Sequence, residues 1–178
     1  NLEEVNLNDN ITEIPDEAIE LCYALTKIHL PANLKTIGEA AFKNTGLQEV
    51  VFPESVRSIG KDAFRIVNNQ FTFGLTYIKL NQGLEEVGDG AFSGVTANQI
   101  YLPHSVKRIG EKAFGNGDAY AGRVVYYEGS ASEWRKVSIG NGYDDWNNAR
   151  IVYSATPEHY DVVRNGTKDE VIWRFQPN

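Results

Sequence analysis

The sequence predicts a solenoid, in which short coils of chain stack on one another around a shared apolar interior and one parallel β-sheet. Three observations predict it. One motif begins again at residues 2, 25, 47, 75 and 97, at spacings of 23, 22, 28 and 22. An Ala-Phe pair closes four of these copies, as Ala41-Phe42, Ala63-Phe64, Ala91-Phe92 and Ala113-Phe114. A glycine stands three residues before the Phe-bearing pair each time, at Gly38, Gly60, Gly88 and Gly110. A unit this short cannot bury its own apolar side, so neighbours must stack and share a core.

Each element follows from the order of side chains within a copy. The clearest copy places Leu25, Ile28, Leu30, Pro31, Leu34, Ile37, Gly38, Ala41 and Phe42. The next places Leu47, Val50, Phe52, Pro53, Val56, Ile59, Gly60, Ala63 and Phe64. Leu75, Ile78, Leu80, Leu84, Val87, Gly88, Ala91 and Phe92 follow, then Ala97, Ile100, Leu102, Pro103, Val106, Ile109, Gly110, Ala113 and Phe114. The first copy is worn: Leu2, Val5, Leu7, Ile11, Ile14 and Ala18 fit, but Pro15 and Ile19 stand where the others have Gly and Phe. The alternation that opens each copy predicts a short strand with its apolar side inward. A second short run, such as 35–37, buries a branched residue on the opposite wall. The glycine after it either takes a positive φ or lets the chain pass its neighbour where a Cβ would obstruct. Ala permits tight stacking and Phe fills the centre, so Phe42, Phe64, Phe92 and Phe114 should form one interior column. Equivalent positions would lie about 4.8 Å apart along the stack. The column Asn10, Asn33, Ser55, Gly83 and Ser105 is polar or small, a corner where side chains or bare backbone satisfy turn amides.

This pattern resembles the bacterial BspA-type leucine-rich repeat family, whose unit reads Leu-x-x-Ile-x-Leu-Pro-x-x-Val-x-x-Ile-Gly-x-x-Ala-Phe. The resemblance covers residues 2 to about 127 directly and continues through 126–134, 137–140 and 149–153 as a terminal coil. It implies a leucine-rich repeat solenoid with a parallel β-sheet on the concave face, short strands and short helical turns elsewhere, and a C-terminal cap. It further implies an extracellular or cell-surface bacterial protein linked to adhesion. One departure is the segment 65–74, which lengthens its coil by six over the 22-residue neighbours. On this reading residues 1–127 are repeat coils and 128–155 a capping coil that covers the last apolar edge with Trp134, Ile139 and Trp146. Residues 156–178 form a β-hairpin-like extension turning at Asn165-Gly166. That extension either packs on the cap, the reading favoured here, or opens another module. Leu2 begins mid-pattern, so the first strand edge should lie exposed and further repeats should precede it.

Composition narrows the function. The 178 residues are 42% apolar and 23% charged, which suits a folded, soluble chain and excludes disorder or collagen. No run approaches roughly 18 apolar residues, so no membrane insertion is expected within these residues. A net charge of −7 disfavours nucleic acid and anionic membrane surfaces. The single Cys22 permits neither an intrachain disulfide nor a thiolate cluster, and its apolar neighbours mark it as a buried, inert thiol. The chain has no Met and begins at Asn1, which reads as a processed product whose export signal would already be gone.

Candidate chemistry is sparse. His29, His104 and His159 lie apart, without metal-site spacing, and are expected on exposed strands and turns. Asp144-Asp145 offers oxygen ligands for calcium but lacks an EF-hand loop's spacing, so a polar turn in the cap explains it better. Asn10-Ile11-Thr12 and Asn165-Gly166-Thr167 fit the glycosylation pattern, which a bacterial origin would make irrelevant. The Gly-x-x-Ala-Phe glycine recurs with the coil period, which marks it as structural and not a phosphate loop. No catalytic residue, cofactor or metal is expected.

What remains is the outward side of the first strands. Down the stack it carries Glu4, Lys27, Glu49, Tyr77, Gln99 and Val124 in one column, and Asn6, His29, Val51, Lys79, Tyr101 and Tyr126 in the next. The later coils gather Tyr77, Tyr101 and Tyr126 around Lys79 and Gln99, and these five are the predicted ligand-binding residues of the concave face. Tyrosine gives area and a hydroxyl at low entropic cost, as interfaces require; it also tiles sheets through cross-strand stacking. Phe71 and Phe73 are expected to add a ridge beside this face. The expected function is non-enzymatic binding of a host or bacterial surface protein or glycan. The alternative is a rigid spacer presenting another domain, which burial of the three tyrosines would favour. Nothing in the pattern sets an oligomeric state.

Overall fold

The computed structural model describes residues 2–67, 74–97, 99–115, 124–140 and 149–156. Within them the chain is a parallel β-solenoid of about five turns. Each coil except the third contributes two short strands, and all strand pairs are parallel, because each coil runs the same way round the stack.

The second strands are β2 (Glu13–Ile14), β4 (Thr36–Ile37), β5 (Ser58–Ile59), β7 (Glu86–Val87), β9 (Arg108–Ile109) and β11 (Ser138–Ile139). They form an unbroken six-stranded sheet in the order β11-β9-β7-β5-β4-β2. Ile14, Ile37, Ile59, Val87 and Ile109 lie in one register line and are buried, a branched residue per coil as the repeat requires.

The first strands are β1 (Glu4–Asn6), β3 (Lys27–His29), β6 (Ile78–Lys79), β8 (Gln99–Leu102), β10 (Val124–Tyr127) and β12 (Arg150–Tyr153). Here the sheet is interrupted. β1 pairs with β3, and β12-β10-β8-β6 form a second piece. The third coil, at 49–51, joins neither piece as a strand; the Thr76 amide still donates to the Gln48 carbonyl at 3.1 Å. A four-residue helix, α1 (Ala131–Trp134), is the only helix among the described residues. Ser130 caps it, accepting from the Glu133 amide while the Glu133 carboxylate accepts from the Ser130 amide. The elements after it extend both sheets, β11 beside β9 and β12 beside β10. Trp134 sets its ring edgewise on Tyr127 at 5.1 Å.

The interior holds the expected column. Phe42, Phe64, Phe92 and Phe114 stack at centroid distances of 5.1, 5.2 and 5.3 Å. Amides next to the rings tie each coil to the following one, as Phe42 N donates to Ala63 O at 2.8 Å and Phe64 N to Ala91 O at 2.7 Å. The repeated glycine serves close approach: a Cβ on Gly60 would stand 2.6 Å from the Gly38 carbonyl carbon and 2.8 Å from the Glu39 nitrogen. The left-handed conformation falls two residues later instead, at Ala40 (φ 53°), Asp62 (54°), Gly90 (62°) and Lys112 (51°).

The polar corner also differs from expectation, in the sign of its hydrogen bonds. The Ser55 hydroxyl lies 2.7 and 2.6 Å from the Ala32 and Leu34 carbonyls and shares its one proton between them, and Ser105 Oγ donates to Leu84 O at 2.7 Å. These side chains therefore satisfy turn carbonyls of the preceding coil, not amides. At Gly83 the missing side chain leaves room for the Arg57 guanidinium, which donates to the Glu54 carbonyl at 2.7 Å. Cys22 is half-buried against the core rather than fully enclosed. At the N-terminal end Val5, Leu7, Ile11 and Ile19 are only half-buried, and Leu2 is 51% exposed. Phe71, Phe73, Asp144, Asp145, Trp146, His159 and all of the 156–178 extension after residue 156 lie outside the described residues.

Candidate ligand-binding face

The strand register brings the predicted site residues together. Lys79 pairs with Tyr101, Tyr101 with Tyr126, and Tyr126 with Val152. Gln99 pairs with Val124 in the adjacent line, and Tyr77 immediately precedes β6. In the early coils the same face carries Glu4 beside Lys27 and Asn6 beside His29.

Exposure divides the five. Tyr77, Lys79 and Gln99 are half-buried, so part of each reaches solvent. Tyr101 is 1% and Tyr126 6% exposed, in a small apolar cluster with Val152 and Ala155 that is separate from the main core. Tyr77 and Val124 pack against that cluster. Burial raises the Tyr126 phenol above its usual pKa, with the Arg150 charge working in the opposite direction. The expectation of three exposed tyrosines is thus corrected: two serve as the bed of the face and one remains at its surface. Alternation puts a side chain on the outer side of a sheet, but what then covers that side is a tertiary matter.

The interruption at the third coil shapes the rest of the face. Val51 stands 67% exposed there, in a broad depression of about 850 Å³ shared with Lys27, His29 and Glu49. Between the third and fourth coils lies a smaller hollow of about 290 Å³, reaching the core side chains Val50, Phe52 and Leu80. Its polar lining includes Glu54, Lys79, Asn81 and Gln82. Asn81, 5% exposed, donates from Nδ2 to the Val56 carbonyl at 2.9 Å and leaves Oδ1 without a hydrogen-bond partner. Asn81 was not among the sequence-derived candidates. Its signal was present, since it replaces the proline found at 31, 53 and 103.

Several charges on the remaining surface are paired. On the six-stranded sheet and its margin Lys61 meets Glu39 at 2.9 Å, Lys107 meets Glu85 at 2.8 Å and Arg108 meets Asp89 at 3.1 Å. The two described histidines are exposed and each faces a carboxylate, His29 with Glu4 at 3.4 Å and His104 with Glu128 at 2.7 Å. Among the described residues no three His, Cys, Asp or Glu side chains converge as a metal site. No helix among them is long and apolar enough to cross a membrane.

Comparison with known proteins agrees with this architecture. The sequence profile of the BspA type leucine rich repeat region matches residues 1–120 in six copies. Among curated proteins none matches the sequence. A leucine rich cell surface protein of Faecalibacterium prausnitzii is similar in structure, with TM-score 0.63 and 24% identity over 86% of this chain and 39% of that one. The pneumococcal vaccine antigen PcpA gives TM-score 0.61 and 15% identity over 88% of this chain and 42% of its own. The leucine rich repeat protein of T. pallidum gives 0.52 and 20%, over 94% and 85%. At these identities the likeness is one of fold, and the chain spans about two fifths of the first two structures.

Proposed function

Because this chain belongs to the BspA type leucine rich repeat family, we propose that it is a non-enzymatic recognition module of a bacterial surface or secreted protein, binding a protein or glycan in adhesion. The binding surface is the outward side of the first-strand sheet in its later coils, where Tyr77, Lys79 and Gln99 reach solvent over Tyr101 and Tyr126. The observation that carries this reading is the register that fixes Lys79, Tyr101 and Tyr126 in one line. Side chains held this way lose little freedom on binding, so most of the contact energy survives as affinity. A surface location for this chain is supported by its likeness to the Faecalibacterium protein, which is a cell surface protein.

An array of extracellular-matrix proteins and glycans tests it, probed with wild type and with Tyr77→Ser, Lys79→Ala, Gln99→Ala combined. Loss of capture at an unchanged melting temperature supports the reading; undiminished capture refutes this surface. One observation favours a second reading, that of a rigid spacer: Tyr101 and Tyr126 are already covered. A spacer would capture nothing on the array with either protein.

A further inference from the structure

We infer that the C-terminal segment 157–178 lies over the later half of the first-strand face, and that a partner binding there must displace it. The inference rests on the recognition reading and concerns how that surface is regulated. Three observations carry it. First, exposure along one outward column falls toward the end of the stack where the segment begins. Asn6 and His29 are exposed, Val51 stands at 67%, and Lys79 is half-buried; Tyr101, Tyr126 and Val152 are then at 1%, 6% and 9%. The bare sheet would show the reverse, because β12 is an edge strand whose outward side chains have neighbours on one side only. Second, the burial reaches the ends of the side chains. The Tyr101 hydroxyl and Gln99 Oε1 each keep under 1 Å² of accessible surface, although both residues point outward from β8. The described neighbours of Tyr101 are Lys79 and Tyr126 in register, with Tyr77, Val124, Val152 and Ala155 in the same cluster. All rise from the sheet or directly follow it, and side chains standing on one sheet cover a ring's flanks and leave its end open. The end is covered from outside the sheet. Third, the segment starts in the right place with the right side chains. Ala155, two residues before it, is itself in the cluster at 3% exposure. Val171, Trp173 and Phe175 alternate, so on a strand they share one side, an apolar strip to lay on tyrosine and valine. From Val152 back to Lys79 is three strand spacings, about 14 Å. The arm 157–164, ahead of the Asn165-Gly166 turn, spans about 26 Å when extended. The segments 68–73 and 116–123 fit less well. The first joins the stack beside Tyr77 and Lys79, where exposure is still partial, and the second has Tyr120 as its one large apolar side chain.

The test is hydroxyl-radical footprinting of the full 178-residue chain beside the combined variant Val171→Ser, Trp173→Ser, Phe175→Ser. Tyr101 and Tyr126 should oxidise slowly in the wild type at every protein concentration. In the variant their rates should rise towards that of exposed Tyr23, with Tyr23 itself unchanged. Should the variant lose its native spectrum, NOEs in the wild type from the Trp173 indole to the Tyr101 or Tyr126 ring decide the same question. Unchanged oxidation in a folded variant, or Trp173 NOEs confined to Tyr153, would overturn the cover. So would protection that fades on dilution, which means a second copy's segment, or a rise produced by Tyr120→Ser instead. On the array of proteins and glycans the variant should half-saturate the component that captures wild type at a concentration at least about threefold lower. Equal or weaker capture together with raised oxidation would overturn the displacement. If oxidation rises as expected while neither protein is captured, the recognition reading falls and the cover stands. If both are captured alike and oxidation does not change, only the cover falls.

Discussion

Phe64→Ala is the sharpest probe of how this stack is held together. The ring is 2% exposed, lies 5.1 Å from Phe42 and 5.2 Å from Phe92, and receives Phe52 edgewise at 5.6 Å. Ladder bonds on either side, Phe42 N to Ala63 O and Phe64 N to Ala91 O, fix the coil spacing, so the space left by the ring cannot close. A cavity that stays open places the cost at the upper end of about 3–5 kcal/mol, and roughly 0.5–1.5 kcal/mol of it belongs to each lost ring pairing. There is a second signature. Stability in a solenoid is close to a sum of coil and interface contributions, and Phe64 belongs to two interfaces in mid-stack. Urea unfolding followed by circular dichroism and tyrosine fluorescence should therefore broaden or separate into two steps. Phe42→Ala, at the end of the column, loses its one pairing with Phe64, two fewer than Phe64→Ala loses, and should cost about 1–3 kcal/mol less. A loss below about 1 kcal/mol at Phe64, or a Phe42 variant equal to it in cost and sharpness, would refute the shared column as the source of cohesion.

Three further outcomes follow from single residues. Gly60→Ala forces a Cβ against the Gly38 and Glu39 backbone and should cost about 1–3 kcal/mol in thermal melts; an unchanged midpoint would place the two coils farther apart than described. Lys112→Gly should raise stability by about 0.5–1 kcal/mol, since the left-handed φ of 51° costs an L-residue roughly 1–2 kcal/mol and glycine's freer unfolded chain returns only part of it. A loss there would contradict the assignment of strain. The Glu128 carboxyl is held below its usual value: burial opposes the charge, but the His104 amide, the His104 ring and the Gln82 side chain outweigh it. The folded state then holds that proton less tightly than the unfolded chain. Its contribution is present above the ordinary carboxylate value and is lost as pH falls through the folded one. Glu128→Gln should accordingly cost stability at pH 7 and progressively less as pH falls below the ordinary carboxylate value, and a cost that does not change with pH would remove the ion from the account.

Much of the architecture was legible because the repeat states each constraint four or five times. Ile14, Ile37, Ile59, Val87 and Ile109 recur at one place, so their common register could be read directly, and so could the Phe column. Features that occur once were harder to read. Glu49-Val50-Val51 differs from Lys27-Ile28-His29 at the outward position, Val51 for His29, but an apolar residue there does not by itself mark a coil that leaves the ladder. The burial of Tyr101 and Tyr126 depends on Val152 and Ala155, which lie beyond the regular repeats in sequence. The left-handed position two residues after the glycine was hidden because Ala40 and Lys112 do not advertise it, although Asp62 and Gly90 in the same column favour that conformation. Asn81 was visible as a substitution in the proline column, but only its geometry shows an acceptor without a donor.

The most direct test of the recognition account is hydroxyl-radical footprinting of the protein alone and bound to a partner captured on the array. The account predicts reduced oxidation at Tyr77 and Val51 with Tyr23, exposed elsewhere in the fold, unchanged. Protection confined to Tyr23 or to the six-stranded sheet, with Tyr77 and Val51 oxidised as in the free protein, would contradict it.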